Sequence, residues 1–361
     1  MRTARPRTRP VAKFAIAKFA IAKSGRSSPH LLTETRNLSR CSIELASADG
    51  HYATHLLHKA KPEFDFGEKR CKSRPMGEKA MPTALITGTS TGIGRVTTEV
   101  LAAKGWRVFA TMRNLEKKGP LEVALKDAGV EQQVTIEQLD VNDPPSIEAA
   151  TASILAQTGN KLDVVVHNAG TAIAGAHEDL PDAEIRRVME TNFFGVLALT
   201  RAVLPTMRAQ GSGRIVLVSS QAAFAGQPAN SIYCASKWAL EGWAESIAFE
   251  LDGFGIDVIL VEPGPYQTEI WKSTARVLPP DGAYTPWLRR VFRGADQHEA
   301  KQARDPKEVA NVIAGALEAR RPRFRYPVGF FARLDHFLRG KLPSRLIRRG
   351  TTRYLRIPRT R

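Results

Sequence analysis

A tyrosine and a lysine stand four residues apart in YCASK, residues 233–237, with only Cys234, Ala235 and Ser236 between them. On a helix, positions i and i+4 share a face. Tyr233 and Lys237 then point the same way, and the small residues between them leave room for a molecule to approach. A phenol beside a fixed cation has its phenolate favoured, so its pKa is expected to fall from about 10 towards neutrality. Such a group suits general acid/base work on an alcohol or a carbonyl. The spacing alone has little specificity, since a helix can carry a Tyr and a Lys by chance. Its meaning depends on what surrounds it.

A second chemical signature is TGTSTGIG at residues 87–94, with Gly88, Gly92 and Gly94. Glycines let a backbone turn tightly and approach a pyrophosphate. The free N–H groups and dipole of the following helix N-terminus favour that anion. The spacing is Gly-x-x-x-Gly-x-Gly, longer than the GxGxxG of many dinucleotide domains. A glycine turn in isolation is weak, but one placed straight after the first strand of an α/β array is much stronger.

The elements around these residues supply that setting. Apolar runs and helical periodicity predict strands over 83–88, 106–112, 133–141, 161–170, 213–220, 255–264 and 323–329. Helices are expected over 96–105, 115–128, 144–159, 181–209, 231–252 and 305–319. Strands alternating with helices imply one parallel sheet covered on both faces. Right-handed crossovers make it doubly wound, a single α/β domain of the Rossmann type. No second copy of the array is seen.

In that order and spacing the chain resembles the short-chain dehydrogenase/reductase family, over about residues 81–330. The resemblance rests on TGTSTGIG, LDV at 139–141, HNAG at 167–170, TNFFG at 191–195, VSS at 218–220, YCASK at 233–237 and EPGPYQT at 262–268. One departure is His167, where the family more often has asparagine. It is expected to matter little to the chemistry.

The resemblance implies a tetrad of Asn192, Ser220, Tyr233 and Lys237. Tyr233 would exchange the proton with the carbonyl or alcohol oxygen. Ser220 would hydrogen-bond that oxygen. Lys237 would lower the Tyr233 pKa and hold the ribose hydroxyls, and Asn192 would position a water in the proton relay. It also implies cofactor contacts at Gly88, Ser90, Thr91, Gly92, Ile93 and Gly94, with Asp140 and Val141 flanking adenine. Asn168, Ala169 and Gly170 would form the wall beneath the cofactor, and Pro263, Gly264 and Thr268 the clamp on the nicotinamide amide.

An acid at the end of the second strand would bind a ribose 2′-hydroxyl and repel a 2′-phosphate. Here ATMRN, residues 110–114, puts Met112 in that place and Arg113 after it. Arginine recognises phosphate. NADP(H) is therefore favoured, with NAD(H) still open, since Thr91 stands where the glycine turn would carry a second basic residue.

Tyr266, Trp271, Tyr284, Trp287 and Phe292 crowd a segment that covers the substrate in the family. They suggest a lipophilic substrate of steroid, retinoid or long-chain type, unless they only pack the segment onto the core. The sequence around YCASK and ATMRN looks most like the steroid and retinol dehydrogenase branch. A 3-ketoacyl carrier-protein reductase is the alternative enzyme, and a cofactor-binding regulatory protein without catalysis the alternative from another class. The complete tetrad argues against the latter. A hydrolase is disfavoured because no GxSxG elbow occurs.

Composition bounds the rest. At 361 residues, 43% hydrophobic and 25% charged, the chain has an ordinary globular balance but a net charge of +17. Residues 1–80 carry 17 Lys+Arg against 7 Asp+Glu, and residues 320–361 carry 14 against 1. Residues 81–319 carry 22 against 28, a net of −6. A nucleic-acid enzyme would carry basic surface on its core as well, so no nucleic-acid partner is expected. The three cysteines, Cys41, Cys71 and Cys234, form no metal or disulfide pattern. Residues 1–80 read as a basic extension without a fold, containing a KFAIA repeat and His51, His55 and His58 on one helical face without a ligand partner. MPTALITG at 81–88 resembles a natural start. The expectation is a cytoplasmic enzyme; organellar targeting by the basic N-terminus is an alternative. The tail, residues 331–361, mixes apolar and arginine residues as an amphipathic helix would. It suits contact with an anionic membrane surface, an acidic carrier or a second subunit. The family often assembles into dimers or tetramers through its two long central helices.

Overall fold

The computed structural model describes residues 81–302, 304–338, 341, 343–354 and 357. The expectations for residues 1–80, including the histidine face, lie outside them. Seven strands form one parallel sheet in the order β3-β2-β1-β4-β5-β6-β7. They are β1 (Thr83–Thr87), β2 (Arg107–Met112), β3 (Val134–Gln138), β4 (Val164–His167), β5 (Gly213–Val218), β6 (Ile256–Pro263) and β7 (Arg325–Val328). The order reverses between β1 and β4, which pair in register from Ala84↔Val164 to Ile86↔Val166. That reversal opens a crevice at the strand C-termini, where α/β sheets hold their ligands.

The strands read as continuous apolar runs because both faces are buried. Successive side chains alternate between two cores. Ala84, Ile86, Val108, Ala110, Val166 and Val216 face α1 (Gly92–Ala103) and α8 (Lys307–Glu318), joined there by Leu101, Val309 and Ile313. Leu85, Phe109, Val165, Ile215 and Leu217 face the other layer. That layer is α3 (Pro144–Gln157), α5 (Gly195–Gln210) and α6 (Ser231–Asp252), which contribute Ile154, Leu199, Val203 and Ala244. The remaining helices of eight residues or more are α2 (Gly119–Asp127), α4 (Asp182–Met189), α7 (Thr285–Gln302), α9 (Phe330–Leu338) and α10 (Ser344–Tyr354), and a single turn spans Glu269–Ser273.

Helix α7 is not among the helices expected from the sequence, the strand expected over 161–170 spans only Val164–His167, and three further departures bear on the site. The first helix starts at Gly92, four residues early, because glycines at its first turn hide the helical period. The strand expected over 133–141 ends at Gln138, and residues 139–141 turn into the cleft instead. The helix expected over 181–209 is interrupted by a π-helical turn at Glu190–Phe194, between α4 and α5. Hydrophobic periodicity reads straight through such a turn. It matters here because π turns gather at functional sites, and this one carries Asn192.

Candidate active site

The C-terminal ends of β1, β4, β5 and β6 open into a cleft of about 610 Å³. Its walls include every residue named above for catalysis and cofactor contact except Asn192 and Gly94. Both of these lie directly behind the wall, in contact with Gly170 and with Gly88 respectively.

The glycine turn is shaped by contacts with β4. Gly88 has φ +69°, and a Cβ there would lie 2.8 Å from the Ala169 Cα. The Asn168 amide donates to the carbonyls of Thr87 and Gly88 at 2.9 Å each. The Thr87 hydroxyl accepts from the backbone N–H of Asn168 and of Ala169, at 3.1 and 3.0 Å. The turn and the HNAG segment thus form one hydrogen-bonded piece. A Cβ at Gly94 would overlap both the Asn168 side chain and the Gly88 carbonyl. Gly94→Ala should therefore force the turn and α1 apart, at a cost of about 1–3 kcal/mol. The expected readout is a lower melting temperature together with more than tenfold weaker dinucleotide binding, about 1.4 kcal/mol. Unchanged binding in a titration would show that the close approach is dispensable.

At the other end of the cleft, Ser220 follows β5 and Tyr233 and Lys237 sit on the first turns of α6. All three are buried. The Tyr233 hydroxyl hydrogen-bonds the Ser220 side chain, whose oxygen also accepts from the Ala222 N–H at 3.1 Å. Ser220 is thus both a turn cap and the partner of the phenol. The Lys237 ammonium donates to the Val218 carbonyl at 2.9 Å and lies 5.8 Å from the Tyr233 ring centre. Asn192 is fully enclosed. Its Oδ1 accepts from the Thr171 N–H at 2.8 Å, and its amide donates to the Thr171 carbonyl and the Ser236 hydroxyl, at 2.9 and 3.0 Å. Ser236 in turn donates to the Tyr233 carbonyl at 2.8 Å. The π turn is therefore tied to the backbone of the tyrosine helix.

The expected fall in the Tyr233 pKa is not what this geometry produces. Burial pushes the phenol up to about 12, against a smaller downward pull from Ser220. The same burial takes Lys237 down to about 8, with Glu241 opposing. The ammonium is turned to Val218 rather than to the phenol oxygen, so the cation that was to stabilise phenolate is directed elsewhere. The site holds a neutral phenol already hydrogen-bonded to a hydroxyl, which is a proton donor.

His167 is turned away from the cleft. It hydrogen-bonds Thr200 on α5 at 3.0 Å, and burial pushes its pKa down to about 3, so it stays neutral. That agrees with a substitution of little chemical consequence. Asp140 is engaged within its own turn, accepting from the Asn142 N–H at 3.0 Å.

Two cations in the wall escaped sequence reasoning. Lys117 ends the short turn after β2 and lines the cleft with Arg113. Asn114 caps that turn, accepting from the Glu116 N–H at 2.9 Å. The available signal was the basic residue one turn beyond Arg113. Arg187 also lines the cleft, donating to the Thr171 hydroxyl at 2.7 Å and paired with Glu184. The aromatic cover is only partly as expected. Tyr284, Trp287 and Phe292 pack together with Leu288 against Ala174 and Ala229, and they do not line this cleft. Tyr266 does line it, with its hydroxyl donating to Glu308 at 2.8 Å. The Trp271 side chain lies outside the described residues. Tyr233 packs in a small buried apolar cluster with Ala172, Ala222 and Cys234, and Ile270 beside it lines the cleft.

The short chain dehydrogenase family model matches residues 82–277. Retinol dehydrogenase 8 of Bos taurus is 39% identical over 67% of this chain and 80% of its own length. Human 17-beta-hydroxysteroid dehydrogenase type 1 is 36% identical over 68% of this chain and 77% of its own. A solved short-chain dehydrogenase from Streptomyces avermitilis superposes with a TM-score of 0.63 at 32% identity, covering 76% of this chain and 99% of that one. With the seven-stranded sheet, the glycine turn and the Ser–Tyr–Lys grouping in place, the chain belongs to the short-chain dehydrogenase family and is an oxidoreductase of the alcohol dehydrogenase type.

Proposed function

We propose that the protein interconverts a lipophilic alcohol and its carbonyl with NADP(H), Tyr233 serving as the acid/base. The observation that carries this reading is the pairing of the buried Tyr233 phenol with the Ser220 hydroxyl, in the same cleft as the glycine turn. A turn with no room for a Cβ at Gly88 or Gly94 fits a pyrophosphate at the N-terminus of α1. Residues Gly88–Gly94 would hold that group, Asp140 and Val141 the adenine, and Pro263, Gly264 and Thr268 the nicotinamide amide. When bound, the nicotinamide supplies or accepts the hydride. The protein's own residues do the rest. Ser220 orients the substrate oxygen, Tyr233 delivers a proton to it in reduction, and Asn192 fixes the Tyr233 helix turn through Ser236. The retinol and steroid relatives and the apolar Ile270 in the cleft wall support a lipophilic substrate. Exposed Phe194, Trp238, Phe249 and Phe254, around the ends of α5 and on α6, support assembly through those helices.

Arg113 and Lys117 support the choice of NADP(H), because two cations face the place where Met112 replaces an acid. Each charge-assisted phosphate contact is worth about 1.5–3 kcal/mol. Fluorescence titration should show NADPH bound at least about tenfold more tightly than NADH. Replacing Arg113 by Asp should reverse the order, and Lys117→Ala should narrow the difference while leaving NADH affinity unchanged. Equal affinities in the wild type would remove the cofactor assignment and leave the tyrosine chemistry standing.

A further inference from the structure

Helix α9 presents its apolar face to solvent. Phe330, Leu334 and Phe337 fall at i, i+4 and i+7 and are 67%, 38% and 62% exposed, with Phe331 beside them at 41%. A helix resting on a sheet normally buries that stripe. In α9 the inward residues are Ala332, fully buried, and the half-buried Asp335, His336 and Leu338. His336 meets the Phe224 ring at 5.2 Å and Glu262 at 4.0 Å. Helix α10 follows with Leu346 and Ile347 exposed. Arg345, Arg348, Arg349 and Arg353 on the same helix are exposed as well. Lys341, between the helices, stands 3.3 Å over the Phe337 ring. Asp335 is the one acid among residues 320–361, against 14 Lys+Arg. It is half-buried and its pKa is raised by that burial.

We propose that α9 and α10 dock the enzyme on an anionic bilayer. Phenylalanine rings enter the boundary between headgroups and acyl chains, and the arginines meet lipid phosphates. Charge complementarity selects this occupant. In a two-fold contact with a second copy, the same patch faces itself and the arginine clusters repel. No helix among the described residues is long and apolar enough to cross a membrane, so the contact is interfacial. The surface begins at the rim of the cleft. The Gly264 N–H donates to the Val328 carbonyl at 3.0 Å, Gly329 packs against the Tyr266 hydroxyl, and α9 starts at the next residue. A docked molecule thus holds that rim close to the lipid. Delivery of a lipophilic substrate from the bilayer rests on the function proposed above; the docking itself does not.

The test is flotation of the full chain with vesicles of phosphatidylcholine alone and with about 30 mol % phosphatidylserine, without substrate. The expected result is at least about tenfold stronger binding to the anionic vesicles, weakening as salt rises. Phe330→Ser with Phe337→Ser should lower it about tenfold or more, as should Arg345→Glu with Arg348→Glu and Arg349→Glu. Both variants should keep the wild-type melting curve and NADPH titration. Three results would overturn the proposal. One is equal binding to neutral and anionic vesicles. Another is anionic binding undiminished in both variants, which would assign it to residues 1–80. The third is a phenylalanine variant that loses an oligomer by light scattering but keeps vesicle binding, which would make the face a contact between copies.

Discussion

Replacing Tyr233 by phenylalanine is expected to lower turnover by about 10²–10⁴-fold, the usual contribution of a positioned general acid. The substitution removes one oxygen from a buried residue whose ring is held by Ala172, Ala222 and Cys234. The fold and the glycine turn should stay as they are, and the dinucleotide titration should change little. The Ser220 oxygen still accepts from the Ala222 N–H, and its own O–H, which loses the phenol, faces the cleft where water can replace it. The pH dependence gives an independent check. With the phenol pushed up to about 12 by burial, its acid form is complete throughout the neutral range. Carbonyl reduction, which needs that acid form, should not fall through a phenol ionisation below pH 8. Alcohol oxidation needs the phenolate and should climb as pH rises. A phenylalanine variant with turnover within about threefold of wild type would end the acid/base assignment.

Arg325→Met is expected to be the most destabilising single change behind the site. Arg325 on β7 joins Glu241 on α6 at 2.6 Å and Glu262 on β6 at 2.5 Å, and it also reaches Glu245. Glu241 and Glu262 are almost completely buried, and the guanidinium itself is only 15% exposed. Two carboxylates in a low-dielectric interior repel each other unless a cation stands between them, and the planar guanidinium fork serves both at once. The carboxylates hold the guanidinium pKa above its ordinary value although burial, the largest single effect, opposes them. Removing one member of such a buried group costs about 3–5 kcal/mol. For a domain of this size that corresponds to a fall in melting temperature of roughly 10 °C. The damage should reach catalysis. Glu241 lies one turn beyond Lys237 and accepts from the Ser219 hydroxyl at 2.8 Å, beside Ser220. A melting temperature within about 2 °C of wild type would mean that water or a shifted protonation already compensates these carboxylates.

Much of this protein is determined by local sequence. The parallel sheet follows from runs such as TALIT and RVFATM, which stay apolar on both faces because both are buried. The helix Ser231–Asp252 has the bounds that periodicity implies. The glycine turn and the Tyr233–Lys237 spacing are properties of a few consecutive residues, and the same holds for Arg113 at the end of β2. These features need only a 2.0 or 3.6 period and the steric freedom of glycine.

What only the tertiary structure decided involves residues far apart in the chain. Periodicity cannot reveal a π turn, so the mounting of Asn192 emerged only with the contacts of Thr171 and Ser236 around it. The Lys117 side chain joins Arg113 because a capped turn folds it back to the cleft. The direction of the Tyr233 pKa was misjudged from spacing. An i, i+4 lysine says where an ammonium starts but not that it ends on the Val218 carbonyl, and desolvation depends on everything packed around the phenol. The aromatic segment illustrates the same limit. Tyr284, Trp287 and Phe292 have the composition of a substrate cover, yet they pack against Ala174 and Ala229 because that is the surface the fold brings to them. Composition marked the tail as apolar and basic; only the packing of Ala332 against β7 and Gly264 turned its phenylalanines outward.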